Sequence, residues 1–275
     1  MKRQWLLLLF PVALIAILIV MRQFGGKRST SENDAALQKP AVALQTVAPV
    51  ENAPKDAVPN TDLKTQQRLA PEIVDKLSTT MEKYIKDNPK AADLPDTYFN
   101  LGNLYYQGGE YEKAIEPLKK ALEHHPYDAD AHYTLGNTYD KLKRHAEAAK
   151  AFEELTRIEP QNDSVYYNLG NAYSNQQKNE QAVEQYKKAI GLNPKNASAH
   201  YALGLAYQRL KKPTEAVQAL QEAVKLDASN AEAQFLLGLA KLDSGDRKGA
   251  QDQQDILTKL KQPYAEELNR RLNPQ

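Results

Sequence analysis

The chain has 275 residues, 41% hydrophobic and 26% charged, a composition suited to one large folded domain or two ordinary ones. Its 36 Lys and Arg against 35 Asp and Glu give a net charge of +1, so the balance offers nothing to a polyanionic partner such as nucleic acid, whose binding rests on many phosphate contacts. With no cysteine, thiol nucleophiles, disulfides, iron–sulfur clusters and Cys-built zinc sites are excluded, and packing alone must hold the core.

The first predicted element is the run Trp5 to Met21, seventeen residues without a charge, with Lys2 and Arg3 before it and Arg22, Lys27 and Arg28 after it. At about 1.5 Å per residue it reaches roughly 25 Å, the short end of what crosses a bilayer as a helix. It closes on Ile19, Val20, Met21 and Arg22, without the small residues of a cleavage site, so residues 1–24 are expected to form an uncleaved transmembrane signal-anchor. Basic residues on the two sides nearly cancel as topology signals. The short basic leader favours an amino end in the cytoplasm and export of the downstream chain, which places the rest in the periplasm, anchored in the inner membrane of a bacterium.

Residues 25–70 are rich in Ala and Pro, as in Ala48-Pro49-Val50, Ala53-Pro54 and Val58-Pro59, and hold no aromatic residue between Phe24 and Tyr84. Scattered prolines break helices and no apolar period survives, so this is expected to be a disordered linker with a reach of roughly 35 to 40 Å. Residues 71–94 then predict a capping helix with Pro71 at its start and an apolar stripe of Ile73, Val74, Leu77, Met81, Tyr84 and Ile85.

From residue 95 a single register repeats. Leu101-Gly102, Leu135-Gly136, Leu169-Gly170, Leu203-Gly204 and Leu237-Gly238 are each 34 residues apart. Tyr105, Tyr139, Tyr173 and Tyr207 come three residues after their Gly, with Lys241 in the fifth place; Ala114, Ala148, Ala182, Ala216 and Ala250 come twelve after. Pro126, Pro160 and Pro194 close the first three units and Ala228 the fourth. The aromatic or His, Leu, Gly and Tyr of each first helix fall at i, i+3, i+4 and i+7, one helical stripe. A Gly costs a mid-helix position roughly 1 kcal/mol against Ala, so its recurrence implies backbones too close for a side chain.

These residues resemble the tetratricopeptide repeat family, and the resemblance runs from Pro95 to about Pro263. It implies an all-α, right-handed α-solenoid of helix-turn-helix units stabilised by nearest-neighbour interfaces. The expected units are 95–128, 129–162, 163–196, 197–230 and a degenerate 231–262, in which Lys241 and Gln254 replace the expected Tyr and bulky apolar residue. A capping helix and tail at 263–275 carries Tyr264, Leu268 and Leu272 on one stripe, with Glu266, Glu267, Arg270 and Arg271 turned away. The helix at 71–87 matches only the second half of a unit.

Little in the chain suggests catalysis, a metal or a cofactor, and it is expected not to be an enzyme. His132 and His200 sit at the fourth position of their units, where Tyr98 and Tyr166 stand in others, and read as partly buried packing residues. His124 and His125 precede Pro126 at a helix end, and His145 lies in a turn. No two histidines make an i, i+4 pair, and no nucleophile elbow, phosphate loop or dinucleotide fingerprint is present. Gly108-Gly109 reads as a turn.

Positions two, five, nine and twelve of each unit lie roughly 130° around the first helix from the packing stripe, on the side that lines the concave groove in the family. Position five is an aromatic row, Phe99, Tyr133, Tyr167, Tyr201 and Phe235. Position nine reads Asn103, Asn137, Asn171, Leu205 and Leu239, with Asn100 and Asn168 at position six. Asn donates and accepts, which suits an extended peptide backbone, and rings cover side chains at small entropy cost. Rings and amides at these positions also serve structure in the family. Leu205, Leu239, Leu242 and Phe235 make the far end apolar, open to a partner's side chain or else covered by the cap or by Val and Leu of the linker.

Three functions fit. The first is a non-enzymatic scaffold of the cell envelope that binds an extended peptide or partner helix and assists assembly of a membrane-linked complex. The second is a structural protein whose repeats self-associate. The third is a non-catalytic accessory subunit of a membrane enzyme, such as a glycosyltransferase or a cytochrome maturation system.

Overall fold

The computed structural model describes residues 68–274, which hold twelve α-helices and no strand. The expected anchor at 1–24 and all but the last three residues of the linker at 25–70 lie outside the described residues. Among the described residues no helix is long and apolar enough to cross a membrane. In chain order the helices are α1 (Pro71–Asp87), α2 (Leu94–Gly108), α3 (Tyr111–His124), α4 (Ala129–Lys141), α5 (His145–Ile158), α6 (Asp163–Asn175), α7 (Asn179–Leu192), α8 (Ala197–Arg209), α9 (Pro213–Leu226), α10 (Ala231–Asp243), α11 (Arg247–Lys259) and α12 (Tyr264–Leu272).

Helix ends are set by residues that recur with the repeat. Asp128, Asn162, Asn196 and Asn230 precede α4, α6, α8 and α10, and their side chains accept from Ala131, Ser164, Ala199 and Ala233 N–H at 3.1, 3.1, 2.9 and 2.9 Å. Each cap satisfies an orphan donor worth about 1 kcal/mol. Between the two helices of each unit one residue is left-handed: Gly109, Lys143, Gln177, Lys211 and Gly245, with φ of 79°, 58°, 62°, 56° and 90°. The next N–H then reaches back to the first helix, as in Arg144 to Tyr139 O at 2.8 Å and Lys178 to Tyr173 O at 3.0 Å, closing each helix with a Schellman-type turn.

The five mid-helix glycines are where the helices meet. A Cβ on Gly102, Gly136, Gly170 or Gly204 would lie 2.6, 2.7, 2.5 or 2.5 Å from the side chain of Leu118, Phe152, Tyr186 or Leu220, the residue sixteen places on in the second helix. Leu118, Phe152, Tyr186 and Leu220 are buried, as are the alanines four residues before them. Each second helix packs on its own first helix and on the first helix of the next unit, and first helices also touch one another: α2 with α4, α6 with α8, α8 with α10. Contact between successive first helices puts them on the inner side of the stack.

The two ends close by different means. At the start α1 lies where a preceding second helix would, with Val74 against Gly108 and the Tyr105 hydroxyl donating to Glu82 at 2.5 Å. At the other end Gln254 leaves the fifth glycine without a bulky neighbour, and Leu268 of α12 takes the place, 2.5 Å from a Cβ on Gly238. Leu268 and Leu272 are fully buried. The turn into α12 is of the kind used within units, with Lys261 at φ 53° and Gln262 N–H donating to Leu257 O at 2.9 Å. The expected solubilising cap thus also completes the core of the last unit.

These contacts have two measurable consequences for stability. Leu268→Ala should lower the stability of the chain by about 2 to 5 kcal/mol in urea unfolding, because it empties a filled contact; a midpoint equal to the parent's would show that α12 does not hold the fifth unit. Gln177→Gly should raise stability by up to about 1 kcal/mol, because it relieves a left-handed side chain, less the added flexibility of glycine when unfolded. A lower midpoint would mean that the turn carries no strain.

Candidate binding groove

The inner face is built from the first helices α2, α4, α6, α8 and α10. Phe99, Tyr133, Tyr167, Tyr201 and Phe235 stand on it one per helix, all partly exposed, with Tyr133 the most open at 43%. The rings are not free-standing. Tyr133 lies edge-on to Phe152 with centroids 6.4 Å apart, Tyr167 is tilted against Tyr186 at 6.1 Å, and Phe235 stacks on Tyr264 at 5.1 Å. Each of these three therefore leans on the residue that fills the helix contact beneath it, or on the cap, and offers its outer face to solvent.

The amides expected to act alike differ in their engagement. Asn171 accepts from the Tyr186 hydroxyl at 2.7 Å, and Asn103 accepts weakly from Gln107 at 3.4 Å. The Asn137 side chain makes no hydrogen bond among the described residues, because Phe152 occupies the place of Tyr186 and has no hydroxyl. Asn100 and Asn168 are half-buried beside the row. At the far end Leu239, Leu242 and Phe235 pack against the cluster of Leu257, Leu268 and Leu272, so the cap covers much of that end; Leu205 remains half-exposed.

Position twelve, whose residue type varies along the sequence, supplies further polar groups. Asp140 accepts from His145 Nδ1 at 3.1 Å and from Asn175 at 3.4 Å, while Arg209 donates to Ser174 Oγ at 2.5 Å. The Asn175–Asp140 and Arg209–Ser174 bonds join neighbouring units along one edge of the groove. Beside them Ser174, Asn175, Gln177, Asn179 and Arg209 line an open depression of about 460 Å³. Tyr106 is pushed up to about 12 by burial and by the nearby Tyr111, Tyr133 and Asp140. Burial also raises the Tyr201 phenol, and hydrogen bonding to Glu232 adds to it. Both rings stay neutral at physiological pH, as apolar faces with a hydroxyl to donate.

The fourth-position residues do more than pack. His132 Nε2 meets Pro126 O at 2.8 Å, Tyr166 OH donates to Pro160 O at 3.2 Å, His200 Nε2 meets Pro194 O at 3.0 Å and Gln234 Nε2 donates to Ala228 O at 2.6 Å. Each of these four clasps the carbonyl six residues upstream, in the turn that links units. The Nε2 atoms of His132 and His200 are thus committed to structure. Among the described residues no group of three His, Asp or Glu could hold a metal ion.

Models of the tetratricopeptide repeat match residues 167–231, 206–250 and 129–162, and a model described as a TPR repeat matches 102–143. No curated protein matches in sequence. Among solved structures the chain is similar to MamA from Desulfovibrio magneticus RS-1, at 24% identity and a TM-score of 0.58, over 62% of this chain and 96% of that one. It is similar to YrrB, described as a TPR protein with an unusual peptide-binding site, at 24% identity and 0.56, over 70% and 93%. It is also similar to PilF from Pseudomonas aeruginosa at 25% identity and 0.51, over 61% and 76%. These likenesses show the fold.

The engagement of Asn171 can be measured. Tyr186→Phe should cost about 0.5 to 1.5 kcal/mol, the net value of one hydrogen bond, with helicity unchanged. Equal stability of variant and parent would indicate that Asn171 is already satisfied by solvent.

Proposed function

Because the chain belongs to the tetratricopeptide repeat family, we propose that it is a non-enzymatic scaffold that holds an extended peptide or a partner helix along the inner face of its first helices. One observation carries the reading: a partly exposed ring on every first helix, several of them backed by the core, beside amides of which Asn137 has no internal partner among the described residues. Rings fixed from behind present apolar area without losing rotamer freedom, and an amide can pair with both groups of a peptide unit. YrrB, whose description includes a peptide-binding site, shares the fold. The covered far end moves the working part of the groove to α2, α4, α6 and α8. The uncharged run from Trp5 to Met21 supports placing this scaffold at a membrane of the cell envelope, where it would assist assembly of a membrane-linked complex.

Co-purification after mild crosslinking of the full chain identifies the partner, and light scattering across concentration separates a foreign partner from a second copy. Against the partner so found, Asn103→Ala, Asn137→Ala and Asn171→Ala together should weaken binding by roughly 1.5 to 4.5 kcal/mol, at about 0.5 to 1.5 kcal/mol for each amide contact. Within the three, Asn137→Ala should act on binding alone, whereas Asn171→Ala should also lower stability. Undiminished binding by the triple variant would assign the work to the outer face.

A further inference from the structure

We infer that the open depression between the third and fourth units is a subsite for an acidic side chain of the bound peptide, anchored by the Arg209 guanidinium. The inference rests on the reading of the groove as a peptide site. It starts from a ladder that the repeat builds along one edge of the groove. Position thirteen of one first helix reaches back to position twelve of the helix before it, so Asn175 donates to Asp140 at 3.4 Å and Arg209 to Ser174 Oγ at 2.5 Å, each across 35 residues. The two rungs are mismatched in charge. The acidic acceptor has a neutral donor, and the cationic donor has a neutral acceptor. A ladder serving structure alone would set the arginine against the carboxylate, because a pair of opposite charges makes the stronger hydrogen bond.

Arg209 is thereby left with an unspent charge. Arg144, Arg157, Arg270 and Arg271 each pair with a glutamate, whereas Arg209 pairs with no carboxylate among the described residues. Its hydrogen bonds go to the hydroxyl and, at 3.4 Å, the carbonyl of Ser174, and both use Nη1. Nε and Nη2, the edge of a guanidinium that takes a carboxylate with two parallel bonds, stay open. Asp140 does not fill that edge, since it accepts from His145 Nδ1 at 3.1 Å. Around the guanidinium the depression of about 460 Å³ is lined by neutral groups only, Ser174, Asn175, Gln177 and Asn179. The buried Asn179 Oδ1 makes no hydrogen bond; being buried, it sets no exposed acceptor against an anion.

The depression is joined to the groove by hydrogen bonds. Ser174 stands one turn after Asn171 on α6, its hydroxyl is hydrogen-bonded to the Tyr186 oxygen, and Tyr186 donates to Asn171 at 2.7 Å. A chain of polar groups therefore runs from Arg209 to a groove amide and holds the guanidinium in place before a ligand arrives, which lowers the entropy cost of pairing. The depression lies beside α6 and α8, in the middle of the row of first helices, so a peptide running along the row passes it and enters it sideways. That geometry selects an Asp or Glu side chain over a terminal carboxylate. Position thirteen elsewhere is Gln107, Lys141 and Asp243, so this arrangement occurs once. Rings that recur in every unit would let a peptide slip by one repeat, and a single charged subsite fixes its register.

The test uses a pool of random nonapeptides, acetylated and amidated at their ends, retained on the immobilised full chain and sequenced. Asp or Glu at one position should be enriched about fivefold, the effect expected of one exposed ion pair with good geometry. Arg209→Gln should abolish that enrichment while leaving the helical signal and the preferences at other positions unchanged. Arg209→Lys, which keeps the charge without the fork, should retain about half of it. Equal loss in both variants, or an acidic preference that survives Arg209→Gln, would overturn the assignment to this charge. A second pool with free carboxyl ends separates the two sources of carboxylate: retention that requires the free end and ignores acidic side chains would overturn the side-chain subsite. Peptides retained without any acidic preference would overturn this inference alone and leave the groove a peptide site. Retention of no peptide from either pool would overturn the peptide-site reading with it.

Discussion

The contact on which the structure depends is that of a bare glycine backbone with the side chain sixteen residues later. It sets the distance between the two helices of a unit, and since the first four units all use it, it sets the repeat. The partner side chain varies as Leu118, Phe152, Tyr186 and Leu220, so the contact is tight without being uniform. That variation reaches the inner face. Tyr186 extends a hydroxyl to Asn171, whereas Phe152 cannot reach Asn137 in the same way. An amide is thereby left without that internal bond in one unit and tied to the core in another, through a residue that never faces the groove.

Strain and closure are arranged around that contact. The turn within each unit needs a left-handed residue, met by glycine only at Gly109 and Gly245, while Lys143, Gln177 and Lys211 accept the conformation at some cost. Where the fifth unit lacks its bulky residue, Leu268 arrives from the next helix. The stack ends because α12 fills the last contact and offers Glu266, Arg270 and Arg271 to solvent in place of another apolar stripe.

Much of this was legible in the sequence, because the close contact demands fixed residue types at a fixed spacing. The glycines, the tyrosines after them and the buried alanines all carry the 34-residue register. Four features were not legible. His132 and His200 read as packing residues, since their partner is a backbone carbonyl six residues away and a carbonyl leaves no mark on residue identity. Leu268 could be placed on an apolar stripe, but nothing in its spacing ties it to Gly238. The row at position five predicts rings on one face, yet only the geometry shows how each ring is shared between core and solvent. Whether Leu239 and Leu242 were open or covered also waited on the position of α12.

The inner face of the first helices as the working surface is the claim that joins these observations. Neutral phenols, half-exposed rings and an unengaged amide lie on that side, whereas the outer helices α5 and α7 carry surface ion pairs such as Arg157 with Glu154 and Lys188 with Glu184, which contribute little energy. Amide hydrogen exchange of the full chain with and without its crosslink-identified partner tests the claim most directly. Added protection should concentrate in α2, α4, α6 and α8, with α5, α7 and α9 unchanged. Protection confined to α5, α7 and α9 would contradict it.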